Sequence, residues 1–156
     1  MDQQAFAQLA TLPVRKIYAI GSWSLQPYRS VIFTAEDVHY SEMKPADLID
    51  GICLLHGASY RGREEATRRL SQDQYKKKVP VIISEPSVAA FPTSSPQHSQ
   101  CIWLFNHPMT FISMNSQRTK IVFPNGESVE AEASLAMLHK QRSRMFSVLG
   151  YPSLYT

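Results

Sequence analysis

The segment Thr119–Ala131 constrains this chain most. Two short runs flank Pro124-Asn125-Gly126-Glu127. Asn and Gly both tolerate positive φ, which a tight hairpin turn demands, so the two runs are predicted to pair antiparallel.

The other runs are short as well. Arg15–Ile20 and Tyr28–Thr34 read as strands, and Val38–Tyr40 continues the sheet across a turn at residues 35–37. Val79–Ser84 is a short β-rich run, Cys101–Phe105 reads as a buried strand, and Met109–Met114 alternates weakly. Phe91–Gln100, with two prolines and three serines, is expected to be a long turn or loop. Residues 2–10 suit a short helix ended by Leu12-Pro13.

Lys44-Pro45 opens a second helix, because proline is tolerated in a first turn. Leu48, Ile49, Ile52, Cys53 and Leu55 form its apolar stripe, and Gly57 stops it. Ala58–Tyr75 is polar and basic, with a short helix compatible with Glu64–Leu70. The last helix starts at Ser134, a suitable N-cap. Leu135, Leu138, Met145, Phe146 and Leu149 share its apolar face, and Gly150 with Pro152 is expected to end it. Lys140 and Arg144 point away from that face, whereas Arg142 falls inside it, to snorkel or to pair with an acid. Short strands joined by turns, without strand–helix–strand alternation, predict an α+β fold. The sheet is mostly antiparallel, with a central helix and a C-terminal helix.

A chain of 156 residues suits one domain, here 1–156, with a helical arm over 1–12 and a short tail over 150–156. Apolar residues make up 44% and charged residues 19%, which excludes the balance of a disordered chain. No apolar run approaches the ~20 residues of a membrane span. Met1-Asp2-Gln3-Gln4 lacks the basic start of an export signal. The expectation is a cytoplasmic protein with reduced thiols. Cys53, Cys101, His56, His98 and His107 show no recurring ligand spacing, and both cysteines read as small buried hydrophobes. No metal, no cofactor and no enzyme chemistry is predicted.

Charge is distributed more tellingly than its net value of +3 suggests. Residues 35–50 carry five acids against Lys44. Arg61, Arg63, Arg68, Arg69, Lys76, Lys77 and Lys78 then follow within one segment, against Glu64, Glu65 and Asp73. Such a segment builds a local positive potential.

Three groups of residues carry a family resemblance. Met43-Lys44-Pro45, Asp50, Cys53 and Gly57-Ala58-Ser59-Tyr60-Arg61-Gly62-Arg63 resemble the central block of the ComK family. Phe91-Pro92-Thr93 with Cys101 and Trp103 resemble its second block. Val122-Phe123 and Asn125-Gly126, followed by Ser134, Gln141 and Arg144, resemble its third. The blocks run in family order over roughly residues 38–149.

The resemblance implies a bacterial transcription activator of competence genes, which serve DNA uptake. It implies binding to paired AT-rich boxes of double-stranded DNA, largely from the minor groove, as cooperating homodimers. RNA polymerase or a proteolysis adaptor are further implied partners; a membrane is not. The implied location is the cytoplasm, at the nucleoid when DNA is bound. Better-known members continue past the last helix into a longer tail associated with activation and adaptor-mediated proteolysis. This sequence stops at Thr156, so DNA binding is expected and activation is left open. A second reading is a tail-less interaction module that modulates a full-length family member.

For the residues, two readings stand side by side. Arg61 and Arg63 suit a narrow, electronegative minor groove, and Gly62 would let the backbone approach a ligand. The bland alternative is a solvated loop bridged to Glu64 and Glu65. Arg63 matches the family block more firmly than Arg61. Arg68, Arg69, Lys76, Lys77 and Lys78 suit phosphates, or simply a solvated face, with Lys78 the best family match. Lys140 serves solubility or DNA, and Arg144 makes a DNA contact or a structural ion pair. Tyr60 stacks at a DNA surface or packs, and Thr93 bonds DNA or caps a turn.

Overall fold

The computed structural model describes residues 3–71, 77–84 and 88–154. Helix α1 (Gln3–Ala10) and a single 3-10 turn (Val14–Lys16) lead into β1 (Ile17–Ser22), β2 (Ser30–Thr34) and β3 (Val38–Ser41). Helices α2 (Pro45–Leu55) and α3 (Tyr60–Leu70) follow, then β4 (Val81–Ser84), β5 (Val88–Pro92) and β6 (Trp103–Phe105). The chain continues through β7 (Thr110–Asn115), β8 (Arg118–Val122), β9 (Ser128–Ala131) and α4 (Leu135–Leu154).

Six strands form one sheet in the order β3-β2-β1-β6-β5-β4, and β7-β8-β9 form a second. Every pairing is antiparallel. The predicted α+β class is therefore observed, with two central helices rather than one.

The large sheet is buried on both faces, which is why β1, β5 and β6 read as apolar runs without alternation. On one face Ile17, Ile20, Ile32, Trp103 and Phe105 pack with Leu48, Ile49, Ile52 and Cys53 of α2. On the other, Tyr18, Ala19, Phe91 and Leu104 pack with Ile121 and Phe123 of the small sheet and Leu138 and Met145 of α4. Helices, large sheet, and small sheet with α4 thus make three layers.

Local chemistry fixes the ends. Pro45 occupies the first turn of α2, and Gly57, at φ +103°, turns the chain out of it. Ser134 Oγ accepts from Met137 N at 3.1 Å and caps α4. Gly150 and Pro152 do not end α4, which runs to Leu154. A proline removes one N–H and bends a helix without having to terminate it.

The hairpin forms where predicted, by a different turn. Gly126 N donates to Phe123 O at 2.9 Å and Phe123 N to Glu127 O at 2.8 Å. This closes a three-residue loop in which only Gly126, at φ +90°, takes positive φ. Asn125 contributes through its side chain instead: Oδ1 accepts from Glu127 N at 3.1 Å and Nδ2 donates to Thr34 O at 3.4 Å. The predicted loop over Phe91–Gln100 starts later, because Phe91 and Pro92 complete β5.

Candidate nucleic-acid interface

The basic segment is a helix from its first residue. Ser59 Oγ accepts from Gly62 N at 3.1 Å, satisfying a free N–H of the first turn of α3. Asp50 Oδ1 accepts from Tyr60 N at 2.9 Å and ties α3 back to α2. Glu64 and Arg68 pair at 3.0 Å, and Glu65 and Arg69 at 3.4 Å, each one helical turn apart. Gly62 accordingly serves the cap; a Cβ there would sit 3.4 Å from Ser59 Oγ.

Only Thr67 of α3 is fully buried. Burying one aliphatic side chain stabilises by roughly 1.5–3 kcal/mol, so α2, with Leu48, Ile49 and Ile52 buried, is the anchor. α3 is held by its cap, its ion pairs and its packing on α2 and β4, which leaves its outer surface free for charge.

The arginines of α3 part company. Arg61 is exposed and has no acid partner among the described residues. Arg63 is half-buried, and its guanidinium donates to His56 O at the C-terminus of α2. Arg68 is half-buried beside Glu64, and Arg69 is exposed beside Glu65. Tyr60 turns inward, its ring edge-on to Trp103 at 5.4 Å and its hydroxyl donating to Glu64 Oε2 at 3.0 Å. Burial, with Glu64 adding to it, pushes the Tyr60 phenol well above its ordinary range.

α4 fixes the second part of the site. Gln141 is buried, and its Nε2 donates to Lys78 O at 2.8 Å. Lys78 sits at φ +52°, a conformation uncommon outside glycine, and Gln141 holds it there. Arg144 donates to Gln141 Oε1 at 3.0 Å and reaches Lys77 O at 3.4 Å. Arg144 therefore clamps the backbone that carries Lys77 and Lys78. Lys140 is exposed on the same helix, and Lys76 lies outside the described residues.

Thr93 is buried. Its Oγ1 accepts from Ile102 N at 3.0 Å and its N–H donates to Ile102 O at 2.9 Å. It closes the base of the loop that presents Ser95, Pro96 and Gln97. That loop, α3 and the Lys77–Lys78 segment together line an open groove of about 490 Å³. Arg61, Arg68, Lys77 and Lys78 border it with Tyr60, and Glu64 is its one acid among the described residues. Among the described residues four cations face one carboxylate, itself engaged by Arg68, a balance that favours anions.

Sequence reasoning missed Gln141 as a site-building residue and Gln97 as a groove residue. The family resemblance quoted Gln141 without giving it a role. Arg142 has no acid partner among the described residues; half-buried along the apolar stripe, it donates to Met109 O at 2.8 Å and lies 4.1 Å over the Phe111 ring.

The thiols offer no nucleophile. Burial raises Cys53 to about 12 and also raises Cys101. Among the described residues no group of three His, Cys, Asp or Glu side chains could hold a metal ion. No helix among them is long and apolar enough to cross a membrane.

Comparison with known proteins agrees with the motif blocks. The family model described as "ComK protein" matches residues 18–149, taking in β1 and β2 ahead of the motif blocks. The competence transcription factor of Bacillus subtilis (strain 168) is 31% identical over 115 residues. The match covers 72% of this chain and 58% of that relative. No solved structure matches.

Proposed function

The chain belongs to the ComK family, and on that premise we propose that it is a DNA-binding transcription regulator of competence genes. It reads AT-rich boxes largely through the minor groove, acts in the cytoplasm as a homodimer, and carries its binding region in one domain. The observation that carries this reading is the groove bordered by Arg61, Arg68, Lys77 and Lys78. The competence transcription factor of B. subtilis, 31% identical, supports the same class.

The side chains divide by surroundings. Arg61, exposed and without an acid partner among the described residues, enters or follows the minor groove, where a flat guanidinium suits a narrow, electronegative channel. Lys77 and Lys78 neutralise phosphates and displace counterions. Arg68, Arg69 and Lys140 extend the positive surface and position the duplex without reading it. Arg63, Arg144, Gln141, Tyr60 and Thr93 act one step back, holding α3, the lysine segment and the loop in place.

A competition gel shift with AT-box and GC-rich duplexes of equal length, at one salt concentration, tests the reading. The AT-box duplex should compete at least several-fold better. Equal competition would remove the AT-rich preference, and no shift with either duplex would remove DNA binding altogether.

A further inference from the structure

The large sheet has two unlike edges. β4 is packed against by α3 and α4, and Val81, Ile82 and Ile83 are buried. β3, at the other end of the strand order, pairs with β2 alone among the described residues.

The pairing shows which main-chain groups β3 leaves free. Thr34 N donates to Asp37 O at 2.9 Å and Arg29 N to Ser41 O at 2.7 Å. Odd positions of β3 therefore address β2. In an antiparallel ladder the alternate positions point the other way, so the N–H and C=O of Val38 and Tyr40 face outward.

Such an edge is a template for another strand, and proteins that keep it solitary blunt it with lysine, proline or a bulge. β3, Val38-His39-Tyr40-Ser41, is only four residues long, which itself limits pairing, but it carries no lysine, proline or bulge and its register on β2 is regular. Its side chains are apolar where they are exposed: Val38 is 38% and Tyr40 43% accessible. Beside them, the Trp23 and Tyr28 rings lie 4.8 and 5.7 Å from Tyr40, and Leu25 is 67% accessible.

We propose that β3 is the contact edge for a second copy of this chain, pairing antiparallel about a two-fold axis at His39. In that register Val38 of each copy opposes Tyr40 of the other, and their outward main-chain groups satisfy one another. Each apolar side chain then gains a β-branched–aromatic partner, a favourable cross-strand combination. An axis at Tyr40 would instead set Val38 against Glu42. Glu36 lies in the β2–β3 turn, engaged by Lys16, and stays off the ladder. A two-fold contact uses the same β3 edge of both copies, so it closes as a pair and does not grow into a fibre.

The register is testable with one cysteine. His39 opposes itself at a non-hydrogen-bonded position, where Cα atoms sit about 4.5 Å apart, within disulfide reach. His39→Cys, purified without DNA and mildly oxidised, should run as a covalent dimer on a non-reducing gel. In sedimentation equilibrium the unmodified chain should show twice its 17.7 kDa mass. Val38→Lys with Tyr40→Lys should raise the dissociation constant at least tenfold while leaving the circular dichroism spectrum intact. A wild-type monomer at its highest soluble concentration would overturn the proposal, even if β3 captured a strand-forming peptide from another source. So would a wild-type dimer whose His39→Cys variant fails to cross-link, since its interface would lie elsewhere. Should the double lysine variant misfold, the cross-link alone decides. None of these measurements involves DNA, so their outcome is separate from that of the DNA-binding reading.

Discussion

Two positions separate Arg61 from Arg63, and the ~200° rotation between them on a helix sends them to opposite surroundings. Arg61 faces solvent beside the groove, whereas Arg63 reaches back to His56 O. Arg61→Ala should therefore weaken duplex binding by ~1–3 kcal/mol and leave the unfolding midpoint unchanged. Arg63→Ala should chiefly lower stability, by about 1–2 kcal/mol, as the end of α2 loses its bond. Urea unfolding and duplex titration of both variants check this; a reversed pattern would mean that the two roles are exchanged. The sequence makes both arginines visible as a motif but not their directions, because it does not show that a helix starts at Tyr60. The thiols belong to this scale too. Cys53 holds its proton in the folded chain up to about 12, while an unfolded thiol loses it near 9. Stability from this group is complete below pH 9 and falls as pH rises between about 9 and 12. In native buffer at pH 8, a thiol reagent should label Cys53 far more slowly than in denaturant; equal rates would contradict its burial.

Elements differ in how legible they are. The β8–β9 hairpin is plain in the sequence because Gly126 sits where the loop needs positive φ. Gly126→Ala should cost about 1–2 kcal/mol in thermal or chemical unfolding, since only the backbone conformation is at stake and no atom lies within 4 Å of an added Cβ. An unchanged midpoint would show that the loop relaxes freely. β5 is not legible: Val88–Pro92 is buried on both faces, so it lacks alternation, and its terminal proline reads as the start of a loop. α3 is only half legible, because a cap and two ion pairs make it, with Thr67 alone fully buried. The Gln141 clamp is an element-scale device. Gln141→Leu leaves the Lys78 carbonyl without its buried donor and should cost about 1–3 kcal/mol of stability. It should also weaken DNA binding, because Lys77 and Lys78 lose their fixed backbone. If affinity survives in a folded Gln141→Leu variant, the lysines bind without the clamp.

At the scale of the whole molecule, the groove is assembled from parts far apart in sequence. α3 lies next to α2, the lysine segment is tied down by α4 some sixty positions later, and the Ser95–Gln97 loop closes through Thr93 and Ile102. Charge counting along the chain locates the segment but cannot show that these three pieces meet, because their meeting depends on the strand order β1-β6-β5-β4. That order places the loop between β5 and β6 beside α3. The most direct measurement is the salt dependence of AT-box duplex affinity for the wild-type chain and for the triple variant Arg61→Ala, Lys77→Ala, Lys78→Ala. Each phosphate neutralised contributes about −0.9 to the slope of log affinity against log salt. The wild type should show a steep negative slope, and the folded variant should lose at least about two phosphates' worth of it, from Lys77 and Lys78, along with most of its affinity. Equal slopes for the two proteins would contradict the groove as the DNA-binding surface.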